Sequence, residues 1–310
     1  MPRNPGYSTK LYWVLISITA IGLWGLNASR VGRIEACPAE CSDLGGRQEG
    51  PLRVMSLNVL HGFPRFKRLA TRLDLIAEAI RRFDPDIVCL QEVPWAPGLG
   101  SASEYLANNL GYNYLYLPVN GNRWTILFSE GEAILSRYPL TDYTFHELRP
   151  RAGFFEHRAA LHAIAQTPWG GLHIVSTHLT NGDSVTNRDQ AASLAAFVSE
   201  YMDGIGIVAG DFNAEENSPQ IKDLSHTWLD IYRIIHPNGD GFTCCIDDLM
   251  SGPEETLEER IDYIFLVPAL DRSPEVIDSQ RVLDQAFATD KGWQWASDHV
   301  GLTAIIDLNP

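Results

Sequence analysis

Ile205-Gly-Ile-Val-Ala-Gly-Asp-Phe-Asn213 reads as a short apolar strand that stops at two polar groups, Asp211 and Asn213. The same pattern recurs along the chain. Asn58 ends Arg53-Val-Met-Ser-Leu-Asn58, Glu92 ends Asp86-Ile-Val-Cys-Leu-Gln-Glu92, and His178 ends Leu172-His-Ile-Val-Ser-Thr-His178. Asp262 opens the run Arg260-Ile-Asp-Tyr-Ile-Phe-Leu266, and Asp298-His299 precedes Val300-Gly-Leu-Thr-Ala-Ile-Ile306. Short apolar runs bounded by turn formers are strand signals. Strand ends of one sheet system can converge on one rim, so these side chains can share a pocket. A glutamate at a single strand end is commonly a solvated rim group; six such ends together call for another explanation.

Helical patterns alternate with the strands. Residues 67–82 carry Leu69, Leu73, Ile76, Ala77 and Ile80 as a one-sided stripe, which Asp84-Pro85 stops. A second helix is expected over residues 101–110, ended by Gly111, and a third over 188–202 with Ala191, Leu194, Ala195 and Val198 on one face. Strand-like runs at 112–118, 132–136, 143–148, 156–165 and 172–177 fill the middle, with a turn at Thr167-Pro-Trp-Gly-Gly171. Residues 237–259 read as a long polar loop. Mixed strands and helices with central hairpins suit an α+β body of two packed mixed sheets with helices outside, one domain over residues 52–310.

Residues 11–26 contain no charge and follow Arg3 and Lys10. Residues 1–29 therefore read as a secretory signal peptide or a short membrane anchor, with 30–51 as a linker. Either reading places the body outside the cytoplasm, anchored and facing outward or secreted. The formal charge is −15, and no Lys/Arg-rich block stands out. Non-specific polynucleotide binding draws on cationic contacts to phosphates, so the balance weighs against a DNA-coating protein. A nuclease stays open, because a bound metal supplies positive charge locally. Of the five cysteines, Cys37 and Cys41 lie in the linker and Cys244 and Cys245 are adjacent. No Cys-x-x-Cys zinc pattern is present.

Glu92, Asn58, Asp211, Asn213 and Asp298 offer oxygen ligands, the set that suits magnesium, manganese or calcium rather than zinc. No nucleophile elbow and no Cys/His pair at a recognisable spacing is present, which leaves water as the nucleophile. Water needs a base, and a base needs an orienting partner. Asp298-His299 supplies one imidazole, which Asp262 could orient; His178 supplies another, suited to a phosphate oxygen. Arg158 could reach the cleft as a phosphate clamp, and Trp293 and Trp295 could line its mouth.

Ser56-Leu-Asn-Val59, Gln91-Glu92-Val93, Ser176-Thr-His-Leu179, Gly210-Asp-Phe-Asn213, Arg260-Ile-Asp-Tyr263 and Ser297-Asp-His299 resemble, in order, the motifs of the endonuclease/exonuclease/phosphatase superfamily. The match runs from Leu52 to the C-terminus. It implies a four-layer αββα sandwich and a divalent-metal phosphoester hydrolase. By resemblance, Glu92 is the main metal ligand with Asn58 nearby, and Asp298 is a second metal-site carboxylate. Asp262 and His299 are the orienting partner and base, Asp211 and Asn213 position water or leaving group, and His178 contacts phosphate. Gly131-Glu-Ala-Ile-Leu-Ser-Arg-Tyr-Pro139 and Thr243-Cys-Cys245 resemble bacterial members of uncertain substrate. The expected activity is a phosphodiesterase; a secreted nuclease, a sphingomyelinase-type phospholipase and a non-catalytic binding module on the same fold are the alternatives. The expected partners are a phosphoester substrate (a lipid or small phosphodiester, or nucleic acid) and a membrane through residues 11–26 if these are not cleaved. No protein partner is implied.

Overall fold

The computed structural model describes residues 6–28, 30–37, 41–269 and 274–308, with only the helical backbone at 6–9 and 23–28. Two sheets form its centre. One runs, in spatial order, Glu35–Ala36, Asn113–Asn122, Phe128–Ser136, Ile87–Ala96, Leu52–Asn58, Gly301–Asp307 and Glu275–Val282. The other runs Leu229–Asp230, Asp262–Val267, Gly206–Asp211, Gly170–His178, Ala159–Thr167 and Leu140–Glu147. Both are mixed: strands 52–58 and 87–96 are parallel, as are 170–178 and 206–211, and the other pairs are antiparallel.

Side-chain parity separates the layers. Successive residues of a strand face opposite sides of its sheet. Leu52, Val54, Ile87, Cys89 and Leu302 of the first sheet pack against Ile174, Ile207, Ala209, Ile264 and Leu266 of the second. The alternate residues Met55, Leu57, Val88 and Leu90 turn outward and cover Leu73, Ile76 and Ile80 of helix Leu69–Phe83 and Leu106 of helix Ala102–Leu110. Val175, Val208, Tyr263 and Phe265 turn the other way, onto Leu194, Phe197 and Val198 of helix Ser184–Tyr201 and Ile221 and Leu224 of helix Pro219–Ser225. The layers are therefore helix, sheet, sheet, helix, the αββα sandwich expected from the sequence.

The helix stops are local chemistry. Asp84 closes helix Leu69–Phe83 in a left-handed conformation with its N–H on Ile80 O, and Gly111 does the same for helix Ala102–Leu110 on Ala107 O. Asp183 opens helix Ser184–Tyr201, its carboxylate accepting from Thr186 N at 2.8 Å.

Two features differ from expectation. Strand Glu275–Val282 is too polar to read as a strand; it lies at a sheet edge, paired with one strand only, and His236 Nε2 sits 2.6 Å from its Ser279 O. Residues 30–51, expected as a linker, run along the body: Glu35–Ala36 pairs with 115–116, Cys37 is disulfide-bonded to Cys41, and Arg47 bridges Asp84 and Asp86. Residues Gly6–Ala28 form a helix on which Leu11, Trp13, Leu15, Ile18 and Ile21 are exposed. Among the described residues, no helix is long and apolar enough to cross a membrane.

Candidate active site

The polar strand ends meet at one end of the sandwich, and parity brings them inward. Asn58 shares a face with Val54 and Ser56, Asp211 with Ile207 and Ala209, and Asp262 with Ile264 and Leu266. Each side chain thus continues the inter-sheet core to its rim. In the second sheet Asp211 pairs with His178 on one side and with Asp262 on the other. Gly210 allows this row to close up, since a Cβ there would fall 1.8 Å from Thr177 O.

Glu92 breaks the alternation. By parity it belongs on the helix-facing side with Val88 and Leu90. A bulge between Leu90 and Val93, and a left-handed φ of 52° at Glu92, turn it back toward the site. Such a conformation is costly for a residue with a Cβ and concentrates at functional positions. Asn58 Nδ2 donates to Glu92 Oε1 at 3.3 Å and to Asp211 Oδ2 at 3.0 Å, which joins the two sheets.

His299 Nδ1 lies 2.9 Å from Asp262 Oδ2, and its Nε2 is 3.7 Å from Asp211 Oδ2. Ligand atoms of Asp211, Asp262 and His299 all fall within 4.8 Å of one another. His178 Nε2 is 2.9 Å from Asn213 Nδ2 and 3.3 Å from Asp211 Oδ2. Arg158 Nη1 is 3.4 Å from His178 Nδ1, and its Nη2 donates to Glu156. Ser297 Oγ lies 2.7 Å from Asn58 O and 3.1 Å from Asp298 Oδ1, so its single proton is shared between the two.

Burial sets the electrostatics. Asp211 is pushed above the usual carboxylate range by burial and by Asp262. Asp298 is raised by burial, with Glu92 adding to the effect. His178 is driven well below the usual imidazole range by burial, then by Arg158, His299 and His61. Burial also opposes charge on His299, but Asp262, Asp211 and Asp298 outweigh it and hold that imidazole well above its usual range. A buried anionic cluster of this kind is costly without a cation. Asp262 Oδ1 is buried with no hydrogen-bond partner among the described residues. An orphaned carboxylate oxygen beside two raised carboxylates fits a divalent ion.

All the predicted residues, Asn58, Glu92, Arg158, His178, Asp211, Asn213, Asp262, Asp298 and His299, fall at this end. Among the described residues, ligand atoms of Asp211, Asp262 and His299 come within reach of one another, while the expected ligand Glu92 is held by Asn58 Nδ2 and His61 N. Trp295 does not line the mouth: it is buried against Ile246, Ala286 and Val300, whereas Trp293 is 41% exposed.

Sequence reasoning missed four contributors. Buried Glu132 accepts from Ser176 Oγ at 3.0 Å, and Gln91 Nε2 donates to the same hydroxyl at 3.0 Å, a polar tie through the core between the sheets. Glu130, also buried, accepts from Asn120. Burial raises both carboxyls above their usual range. His61 lies 3.6 Å from Glu92. Arg72 is 1% exposed and binds three carbonyls behind the site, Val59 O at 2.6 Å, Leu60 O at 2.9 Å and Ala296 O at 3.2 Å. The motif strand Gly131-Glu132-Ala-Ile carried a signal for Glu132; Arg72 sits among helix residues and carried none.

Residues 55–299 match the Endonuclease/Exonuclease/phosphatase family. The chain belongs to this family, whose members are generally phosphoester hydrolases and commonly use divalent metals. It is 31% identical over 179 residues to the Escherichia coli K12 uncharacterized protein YbhP, covering 54% of this chain and 68% of that one. Among solved structures it is similar to a family member from Bacteroides thetaiotaomicron (TM-score 0.67, 18% identity, 84% of this chain and 100% of that one). It is likewise similar to a member from Beutenbergia cavernae (TM-score 0.62, 23% identity, 84% and 72%). A humanized D. rerio TDP2 carrying 14 mutations has a TM-score of 0.65 at 17% identity, over 83% of this chain and 99% of that one.

Proposed function

We propose that this chain is a magnesium- or manganese-dependent phosphodiesterase that uses water as nucleophile. The observation that carries this reading is the buried Asp262–His299 pair, Oδ2 to Nδ1 at 2.9 Å, with Asp211 Oδ2 3.7 Å from the ring's Nε2. Asp262 accepts from His299 Nδ1–H, fixes the tautomer and leaves Nε2 to take a proton from water. Asp211 and Asn213 orient water and the leaving group. His178 and Arg158 present donors to the phosphate oxygens. Glu92, Asn58 and Asp298 complete the anionic side of the pocket as candidate metal ligands. A divalent ion bound there would neutralise a phosphoryl oxygen and lower the cost of charge developing in the displacement.

The favoured substrate class is a lipid or small phosphodiester rather than duplex DNA. The net charge of −15 disfavours long polyanions. Loops beyond the strand ends carry exposed Trp124, Phe154 and Phe155, and Trp293 adds a further aromatic surface. We also infer export, with residues 11–26 acting as a leader or a short anchor. Support comes from an uncharged run that follows Lys10.

The test is a panel of plasmid DNA, RNA, sphingomyelin, lysolipids and inositol phosphates, with chelator, magnesium, manganese or zinc. The expected outcome is turnover of a phosphodiester that chelation abolishes and magnesium or manganese restores. Restoration by zinc alone overturns the metal assignment. Rapid plasmid nicking without lipid turnover overturns the substrate preference and favours the nuclease.

A further inference from the structure

Asp262 opens a strand of one sheet, and His299 precedes a strand of the other. Residues 243–246 run between them and bond to both sides. Thr243 Oγ1 accepts from Ile261 N at 3.2 Å and Asp262 N at 3.1 Å, while Thr243 O accepts from Val300 N at 2.8 Å. Thr243 N and Cys244 N both donate to Glu259 O, at 2.7 and 3.0 Å, and Ile246 N donates to Asp298 O at 2.9 Å. Cys244 forms isolated β-bridges with Glu259 and with His299. Its sulfur is disulfide-bonded to Cys245 and lies 3.6 Å from His299 Nε2. Cys244 is 2% exposed, whereas Cys245 is on the surface.

A disulfide sulfur has no proton to donate. While the Cys244–Cys245 bond stands, that sulfur is tied to its neighbour and neither donates to nor strongly accepts from Nε2. A freed Cys244 side chain, 3.6 Å away, can turn onto Nε2 and bond to it as thiol or thiolate, and so would occupy the atom that the reaction needs. We propose that residues 243–246 are the clamp that sets His299 against Asp262, that Cys244 is a positioning residue, and that reduction of the Cys244–Cys245 bond lowers turnover.

The chemistry is ordinary thiol–disulfide exchange. A thiolate attacks the exposed Cys245 sulfur, the bond breaks, and Cys244 leaves and takes a proton. A second thiol then releases Cys245 and forms the oxidised thiol dimer. Two electrons come from the added thiols. A protein built in this way is held back where thiols are abundant and released in an oxidising compartment.

This inference rests on His299 acting in the proposed phosphodiester reaction, so its test includes a readout that needs no substrate. The full chain is assayed on bis(4-nitrophenyl) phosphate with magnesium, oxidised and after glutathione, with mass spectrometry of the 244–245 peptide. Reduction is expected to lower kcat about tenfold with KM changed less than twofold, the scale of a small misplacement at the reacting groups. Oxidised glutathione restores it. Cys245→Ser, which keeps the Cys244 thiol, should stay low whatever the thiol. Cys244→Ala, with no S–H, should exceed Cys245→Ser and ignore thiols. Cys37→Ser/Cys41→Ser should keep the full response. The ring nitrogen signals of His299, assigned with His299→Gln, should shift on reduction even if no diester is hydrolysed. Confirmed reduction that moves neither kcat nor those signals overturns the proposal, as does a thiol response that persists in Cys245→Ser.

Discussion

His178 and His299 both border Asp211, yet their surroundings push them in opposite directions. His178 is buried with Arg158 beside it, and its proton is disfavoured. His299 is equally enclosed, but Asp262 and Asp211 favour its proton. Neighbouring titratable groups driven apart by their environments are how one pocket carries two roles. The comparison assigns His299 to proton transfer and His178 to neutral contact with phosphate. The supports differ as well: Arg72 underpins the His299 side through Val59, Leu60 and Ala296, whereas strand register with Asp211 underpins His178.

Substitutions can break this contrast. On a phosphodiester with saturating magnesium, His299→Ala should lower kcat by about a hundredfold or more, the range for a positioned base. His178→Ala should cost about tenfold, because a phosphate contact is lost but the base remains. Equal losses would erase the distinction.

Arg72→Met should destabilise the fold by roughly 3 kcal/mol, since three carbonyls lose a charged donor in a buried place. Denaturant unfolding checks this, and a loss under about 1 kcal/mol would show the site to be self-supporting.

Stability against pH, measured with chelator present, sharpens the contrast further. His299 is raised in the folded state. Its contribution is complete below the ordinary imidazole value of about 6.5 and is lost as pH rises through its folded value. His178 is lowered, so its contribution is present above that value and is lost as pH falls. His299→Gln should flatten the alkaline loss and His178→Asn the acid loss. The smallest effect is expected from Arg158→Gln, which should move His178 back toward its ordinary range in a histidine NMR titration and leave His299 unchanged.

Much of this was legible in the sequence because strands alternate. An apolar run that ends in one polar residue of the right parity must present that residue at the rim of the core, which is why Asn58, His178, Asp211 and Asp262 could be read directly. Glu92 could be found by motif but not by parity, because the bulge that turns it inward is a backbone event. Arg72 lies in the helix expected over residues 67–82 but outside its apolar stripe, and drew no reading of its own. Nothing local announced that its guanidinium would reach the loops at Val59, Leu60 and Ala296. Strand Glu275–Val282 escaped because an edge strand need not be apolar, and Trp295 was misplaced because its neighbour Trp293 does face solvent.

The central claim is that Asp262 and His299 act as one unit on a phosphodiester. The most direct test is a double-mutant cycle on kcat with saturating magnesium, using Asp262→Asn, His299→Ala and the pair together. Groups that work as a unit lose most of their effect at the first substitution. The account predicts nearly equal single losses and a double variant no worse than the slower single. Fully additive losses would contradict it.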